Sequence, residues 1–318
     1  MVPFFLEQLF LTLSFYPILC QPFCADKWFL WDKKLNGGGK IWKLVFSYLL
    51  IIVLLNQLFS WGSFDYLTLL FPLSRNPWWF MHIYLLLALL APTLLEPFLS
   101  MVDKRGLLSL IGALLLIDVY FGFMCHMETV HNGGYDLIHF ITIYIIGSFI
   151  RTFDVKCLSV YGYKLEAKHF FLLFVSVMIL KVLWHFFVKC LGFPDWFVDY
   201  NHPFNIALAV CAFLWFLNLN VKNTKIQYIS TSVIGVYLLQ EHPLIKTWLM
   251  KEFDIYVGYC NGSLFMELLL VPLFVIAIFI PAILIDKVRL TSVHCIENGF
   301  VWSRKNLKKI LWNEKDKD

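Results

Sequence analysis

Apolar positions along this chain come in long, nearly unbroken runs divided by short polar connections. Neither the alternation of a half-buried strand nor the one-sided stripe of a soluble helix is the dominant pattern. A run of about 20 apolar residues is what a helix needs to cross the hydrocarbon core of a bilayer. Nine such segments can be drawn, at residues 2–22, 41–60, 78–98, 106–126, 134–150, 169–191, 203–219, 226–242 and 262–286. The pattern predicts an all-α, polytopic transmembrane helix bundle over residues 1–286, with short loops and a basic tail over 287–318. In that tail Phe300, Val301, Leu307, Ile310 and Leu311 alternate with Arg304, Lys305, Lys308 and Lys309. This suits a helix lying on an anionic membrane surface.

The stretch from Tyr200 to Leu244 is the most informative. It reads as a membrane hairpin: Asn201-His202-Pro203, an apolar run, a polar turn holding Lys222 and Lys225, and a returning run that ends Gln240-Glu241-His242-Pro243. Pro203 suits the first turn of a helix, where its missing N–H costs nothing. Pro243 disfavours continuation of the second arm. Both polar ends are expected on one side of the membrane.

Composition agrees with the span pattern. The chain is 60% hydrophobic and 15% charged, with a mean hydropathy of +0.71, a balance that excludes an ordinary soluble domain. The net charge of +4 is spread over the loops and gives no reason to expect a nucleic-acid partner. Lysine and arginine alternate between loops. Lys27, Lys33, Lys34 and Lys40 follow the first span, and Lys104 and Arg105 the third. Arg151, Lys156, Lys164 and Lys168 follow the fifth, Lys222 and Lys225 the seventh, and Lys287 and Arg289 the ninth. By the positive-inside rule these loops and the C-terminus are cytoplasmic, and Met1 faces outward. Met1-Val2-Pro3 lacks the basic start of a cleavable signal peptide.

Other features read as structural. The eight cysteines lack metal-binding spacing and suit small buried side chains, with a disulfide among Cys125, Cys190 and Cys260 left open. Asn36-Gly-Gly-Gly39 reads as a flexible turn and lacks the ending of a phosphate-binding loop. Trp61, Trp78, Trp79, Trp196 and Trp248 mark one membrane boundary, and Trp28, Trp31 and Trp42 the other.

The nine histidines carry the candidate chemistry. On the predicted topology His82, His126, His131, His139, His185, His202 and His242 lie toward the outer face, and only His169 and His294 are cytoplasmic. Such a bias suits a wet outer vestibule with one histidine as general base toward a hydroxyl. No histidine pair has a convincing metal spacing, so no metal is predicted. Asp118, Lys181 and Glu267 sit inside spans, where a charge is expensive and faces a cavity or a partner. Lys181 could pair with either carboxylate.

Several pieces of the chain resemble the polytopic membrane acyltransferases of the acyltransferase-3 family. They are Val2-Pro-Phe-Phe5, Trp78-Trp-Phe80 with Tyr84-Leu-Leu-Leu87 and Pro92, and Leu137-Ile-His-Phe140 with Tyr144, Gly147 and Arg151. The set continues with Tyr200-Asn-His-Pro203 and Val236-Tyr-Leu-Leu239, followed by Glu241 and Pro243-Leu-Ile245. The resemblance implies transfer of an acyl group, acetyl above all, from cytoplasmic acyl-CoA to a hydroxyl of a surface or lipid-linked glycan. The expected setting is a bacterial inner membrane. It implies catalytic roles for His139, His202, Glu241 and His242. The acceptor is expected at His82, Tyr84, Asp118 and Tyr237, and the CoA phosphates at Lys40, Lys43 and Arg151.

Two departures stand out. The chain begins where the family's second span would, so the arginine and histidine of the first span have no counterpart in it. Gln240 also stands where relatives commonly have histidine. On this reading the 318-residue chain is a truncated acyltransferase with little activity, unless His139 or His202 supplies the base. The rival reading is a transporter of small solutes or lipid-linked glycans, supported by the intramembrane charges. The topology makes a direct prediction: a reporter fused after Asp318 is active only in the cytoplasm, and one fused within 127–133 only outside. The reverse result would overturn the map and the histidine bias with it.

Overall fold

The computed structural model describes residues 37–71, 75, 78–127, 133–153, 159–160, 163–192, 199–219, 224–258 and 264–315. Nearly all of these are helical. The exception to the all-α expectation is a two-residue antiparallel ladder that pairs Ser159–Val160 with Tyr163–Lys164. The helices are α1 (Gly37–Phe59), the single turn α2 (Leu67–Leu70), α3 (Trp79–Met101), α4 (Lys104–Met124), α5 (Leu137–Thr152), α6 (Ala167–Cys190), α7 (Pro203–Asn218), α8 (Thr224–Ser230), α9 (Val233–Gln240), α10 (Pro243–Gly258) and α11 (Leu264–Lys315).

Four stretches among the described residues are long and apolar enough to cross a membrane: Ile41–Phe59, Trp79–Met101, Lys104–Met124 and Ala167–Val188. Leu137–Thr152, Pro203–Asn218 and Tyr228–Gln240 are apolar but shorter. These helices are consistent with an integral membrane protein. Exposed Leu172, Leu180 and Leu183 on α6 show the face such a protein turns to lipid.

Several sequence expectations change. The first expected span, at 2–22, and the lysines at 27, 33 and 34 lie outside the described residues. Gly37–Gly39 are the first turn of α1 rather than a turn before it. The eighth span is broken: α8 ends at Ser230 and α9 begins at Val233. Pro243 does not simply end a helix. It opens α10 in the stretch read as a loop, because an N1 proline loses no hydrogen bond. The tail is not separated from the last span by a break. Through Lys315 it continues α11, which accommodates Pro272 and Pro281 within its length.

The described residues fall into two compact units, 37–50 with 63–219 and 51–62 with 224–315. The two arms expected to form a hairpin therefore belong to different units.

In the first unit α6 packs along α7. Phe174 buries against Leu208, Cys211 and Ala212, and Ile150 of α5 joins Phe170, Phe213 and Leu214. Each neighbouring helix start has a local cause. Asp103 accepts from Gly106 N at 2.9 Å to cap α4, and Asp136 accepts from His139 N at 2.9 Å to cap α5. Such caps satisfy N–H groups that the helix leaves unpaired.

Two helices carry wide π-type turns, Ala91–Leu95 in α3 and Leu116–Met124 in α4. Pro92 explains the first, since its ring cannot fit against the preceding turn of a regular helix. The Thr93 hydroxyl donates to Leu89 O at 2.6 Å there. No proline accounts for the second.

In the second unit α9 is buried along its length from Gly235 to Gln240. Lys287 of α11 donates to Tyr228 O and, at 2.7 Å, to Thr231 Oγ1. Its ammonium also lies 3.7 Å from the centroid of the Tyr228 ring. One cation thus holds the carbonyl, the hydroxyl and the ring around the break between α8 and α9.

Two loops of the first unit interlock. Tyr200 N donates to Gly133 O at 2.8 Å. Gly134 has φ +78°, and a Cβ there would lie 2.7 Å from both Asn201 N and Tyr200 Cβ. Replacing Gly134 with Ala therefore combines left-handed strain with a backbone collision and is expected to cost about 2–4 kcal/mol. The check is a thermal melt of detergent-solubilised protein, with an unchanged midpoint the contrary result.

Candidate functional site

The interlocked loops close around a buried Asp–His pair. Asp118 lies in the π-type segment of α4, and His139 is in the first turn of α5, placed by the Asp136 cap. His139 Nδ1 is 2.7 Å from Asp118 Oδ2, with side-chain exposures of 8% and 2%. With the carboxylate oxygen as acceptor, Nδ1 carries the proton and donates. In neutral imidazole that leaves Nε2 unprotonated, the ring nitrogen that can accept a proton. The carboxylate fixes both the ring's orientation and its tautomer. This is the arrangement a general base requires.

The loop at 199–202 supplies the next partners. Asn201 is fully buried and donates from Nδ2 to the main-chain oxygen of Asp118 at 3.0 Å. His202 is also buried but is used differently. Its Nδ1 accepts from Phe204 N at 3.2 Å, and its ring packs 4.6 Å from Phe123. With Nδ1 accepting, the neutral ring has its proton on Nε2 and is a donor there. His202 is thereby the N-cap of α7.

Lys181, a charge inside a predicted span, reaches the same loop through Asn205. Its Nζ donates to Asn205 Oδ1 at 2.7 Å, and Asn205 Nδ2 donates to Asp199 O at 2.7 Å. Lys181 is buried on a helix that is otherwise largely exposed. A lysine turned inward from an apolar, exposed helix is the placement expected of a charge in a membrane segment. The side chain of Glu267, the other partner considered, lies outside the described residues.

Aromatic side chains wall one side. Trp79 packs 4.5 Å from Tyr135, 5.7 Å from Tyr200 and 6.1 Å from Phe140. These rings tie the start of α3 to both loops. His82 and Tyr84 follow on α3, half-buried, and Tyr84 stacks on Phe80 at 5.7 Å.

The remaining candidates divide as follows. Tyr237, Glu241 and His242 belong to the second unit. Tyr237 is buried. Glu241 pairs with Lys246 at 2.9 Å. His242 accepts from Leu244 N at 3.4 Å, a longer version of the His202 cap before a proline. Gln240 is buried, and its Oε1 has no hydrogen-bond partner among the described residues. Lys43 and Arg151 are exposed, at the start of α1 and the end of α5. The side chain of Lys40 lies outside the described residues, as does His131. Cys125 and Cys190 are free thiols, and Cys260 lies outside the described residues.

Asn201 is a residue of the candidate site that the sequence does not single out, although it stands inside the Tyr-Asn-His-Pro segment. The π-type segment carrying Asp118 also had no sequence signal. Removing the carboxylate by Asp118→Ala leaves a buried imidazole N–H without its acceptor. The expected loss is about 1.5–3 kcal/mol, read as a lower melting point in detergent. A variant as stable as the parent would contradict the pair's importance.

No family model matches the chain, and no curated protein and no solved structure matches it. A reading of function must therefore rest on the site's own chemistry and on the resemblance of its segments.

Proposed function

We propose that the chain is a membrane O-acyltransferase core in which His139, oriented by Asp118, is the general base. The observation that supports this most is the buried Nδ1–Oδ2 contact of 2.7 Å, since it leaves Nε2 as the proton-accepting atom. The acceptor is a hydroxyl of a surface or lipid-linked glycan, and the donor is acyl-CoA, acetyl-CoA in the first instance.

The chemistry balances with this one base. Nε2 takes the hydroxyl proton as the oxygen attacks the thioester carbonyl. The tetrahedral intermediate collapses, the C–S bond breaks, and the CoA thiolate receives the proton from the imidazolium. Asp118 stabilises that imidazolium without being protonated itself. Exposed Arg151 and Lys43, with Lys40, are the cations proposed for the CoA phosphates. Nine crossings with a cytoplasmic C-terminus remain the proposed topology, with the donor on the basic side.

A transporter is the second reading, favoured by buried Lys181 and Asp118 in membrane-type helices. Labelled acetyl-CoA supplied to isolated membranes separates the two. Transfer to glycan supports the acyltransferase, and solute flux without transfer supports the transporter. In the acyltransferase, Asp118→Asn is expected to lower transfer by about 10²–10⁴-fold, because an amide permits the wrong histidine tautomer. Arg151→Ala should raise the Kd for acyl-CoA by about tenfold, corresponding to a lost phosphate contact of about 1.4 kcal/mol. Full activity in the first variant would remove His139–Asp118 from the mechanism, and an unchanged Kd would leave Arg151 as a topology signal.

A further inference from the structure

We propose that Asn201 is a positioning residue for His139, acting through the main chain of Asp118; this rests on the reading of His139–Asp118 as a general-base pair. Asn201 is fully buried and lies 83 positions from Asp118 in the chain, yet its Nδ2 donates to Asp118 O at 3.0 Å. Its amide orientation is fixed by that contact, because the opposite orientation would set two oxygens against each other. Its Oδ1 has no hydrogen-bond partner among the described residues. Leaving a buried acceptor unsatisfied costs about 1–3 kcal/mol, so local stability alone does not favour Asn at this position over an apolar residue.

Asn201 instead acts on geometry. Asp118 sits in a wide π-type segment rather than a regular helix, an irregularity frequent at functional sites. The Asn201 contact pins its carbonyl to the loop that also binds Gly133 through Tyr200. That same loop pair leads, within six residues, from Gly133 to His139. One side chain therefore sets the separation between the carboxylate and the imidazole from the carboxylate's side. Without it, Asp118 shifts in the π-type segment and the Nδ1–H form of His139 loses its selective stabilisation.

The test is histidine-specific ¹⁵N NMR of the full chain in lipid nanodiscs, which reads the His139 tautomer ratio in neutral imidazole. In the parent the Nδ1–H form is expected to predominate. Asp118→Asn should lower the ratio of Nδ1–H to Nε2–H, and Asn201→Leu, near in shape but without hydrogen bonds, should lower it about fivefold, the factor one net hydrogen bond carries. A role in stability alone would lower the melting point and leave the tautomer ratio unchanged. An unchanged ratio in Asn201→Leu, with a changed one in Asp118→Asn, would overturn the role of Asn201 and leave the pair standing. No change in either would overturn both. Where Asn201→Leu does not insert, hydrogen exchange in the parent decides: slow exchange of the Asn201 side-chain amide supports the contact with Asp118, and free exchange overturns it.

Discussion

Placing a carboxylate and an imidazole inside an apolar helix bundle is the constraint around which the first unit is arranged. Neither group can be buried cheaply by itself. The contact between Asp118 and His139 offsets that cost only if their helices meet at one fixed height and rotation. The Asp136 cap fixes where α5 begins, Asn201 holds the main chain of α4, and the left-handed Gly134 lets the two loops approach. The aromatic contacts of Trp79 then tie α3 to the same point. Polar residues set position here, while apolar clusters such as those between α6 and α7 supply burial.

The same polar groups have different chemical prospects because their ring nitrogens are committed differently. His139 donates a hydrogen bond from Nδ1 to a carboxylate, which leaves Nε2 as the ring nitrogen without a proton. His202 and His242 each precede a proline that opens a helix, and each accepts a backbone N–H at Nδ1. The Nδ1 atoms of these three histidines are thereby engaged differently, one donating to a carboxylate and two accepting from the backbone.

Much of the helical layout was legible in the sequence because membrane-length apolar runs leave few alternatives. The cores of α1, α3, α4 and α6 lie where hydropathy puts them, and Pro203 opens α7 as its chemistry requires. The errors have physical causes. Pro243 can stop one helix and start another, and the sequence alone does not distinguish those roles. The break at Thr231-Ser232 is held by Lys287, a residue far along the chain. The π-type segment at Leu116–Met124 contains no proline or glycine pair to announce it. His139 and Asp118 were both visible as candidates, but their contact spans 21 positions and depends on the rotation of two helices. Asn201 was hidden for a similar reason: its partner is a backbone oxygen, which leaves no mark in sequence.

The most direct test of the account compares two histidine variants in the same membranes. Initial rates of acetyl transfer from labelled acetyl-CoA would be measured for His139→Gln and His202→Gln at matched abundance and comparable thermal stability. The account predicts a loss of about 10²–10⁴-fold for His139→Gln, the usual contribution of a general base. It predicts a loss of less than about tenfold for His202→Gln, because His202 is given no proton to move in the reaction. Retained transfer in His139→Gln together with abolished transfer in His202→Gln would contradict it.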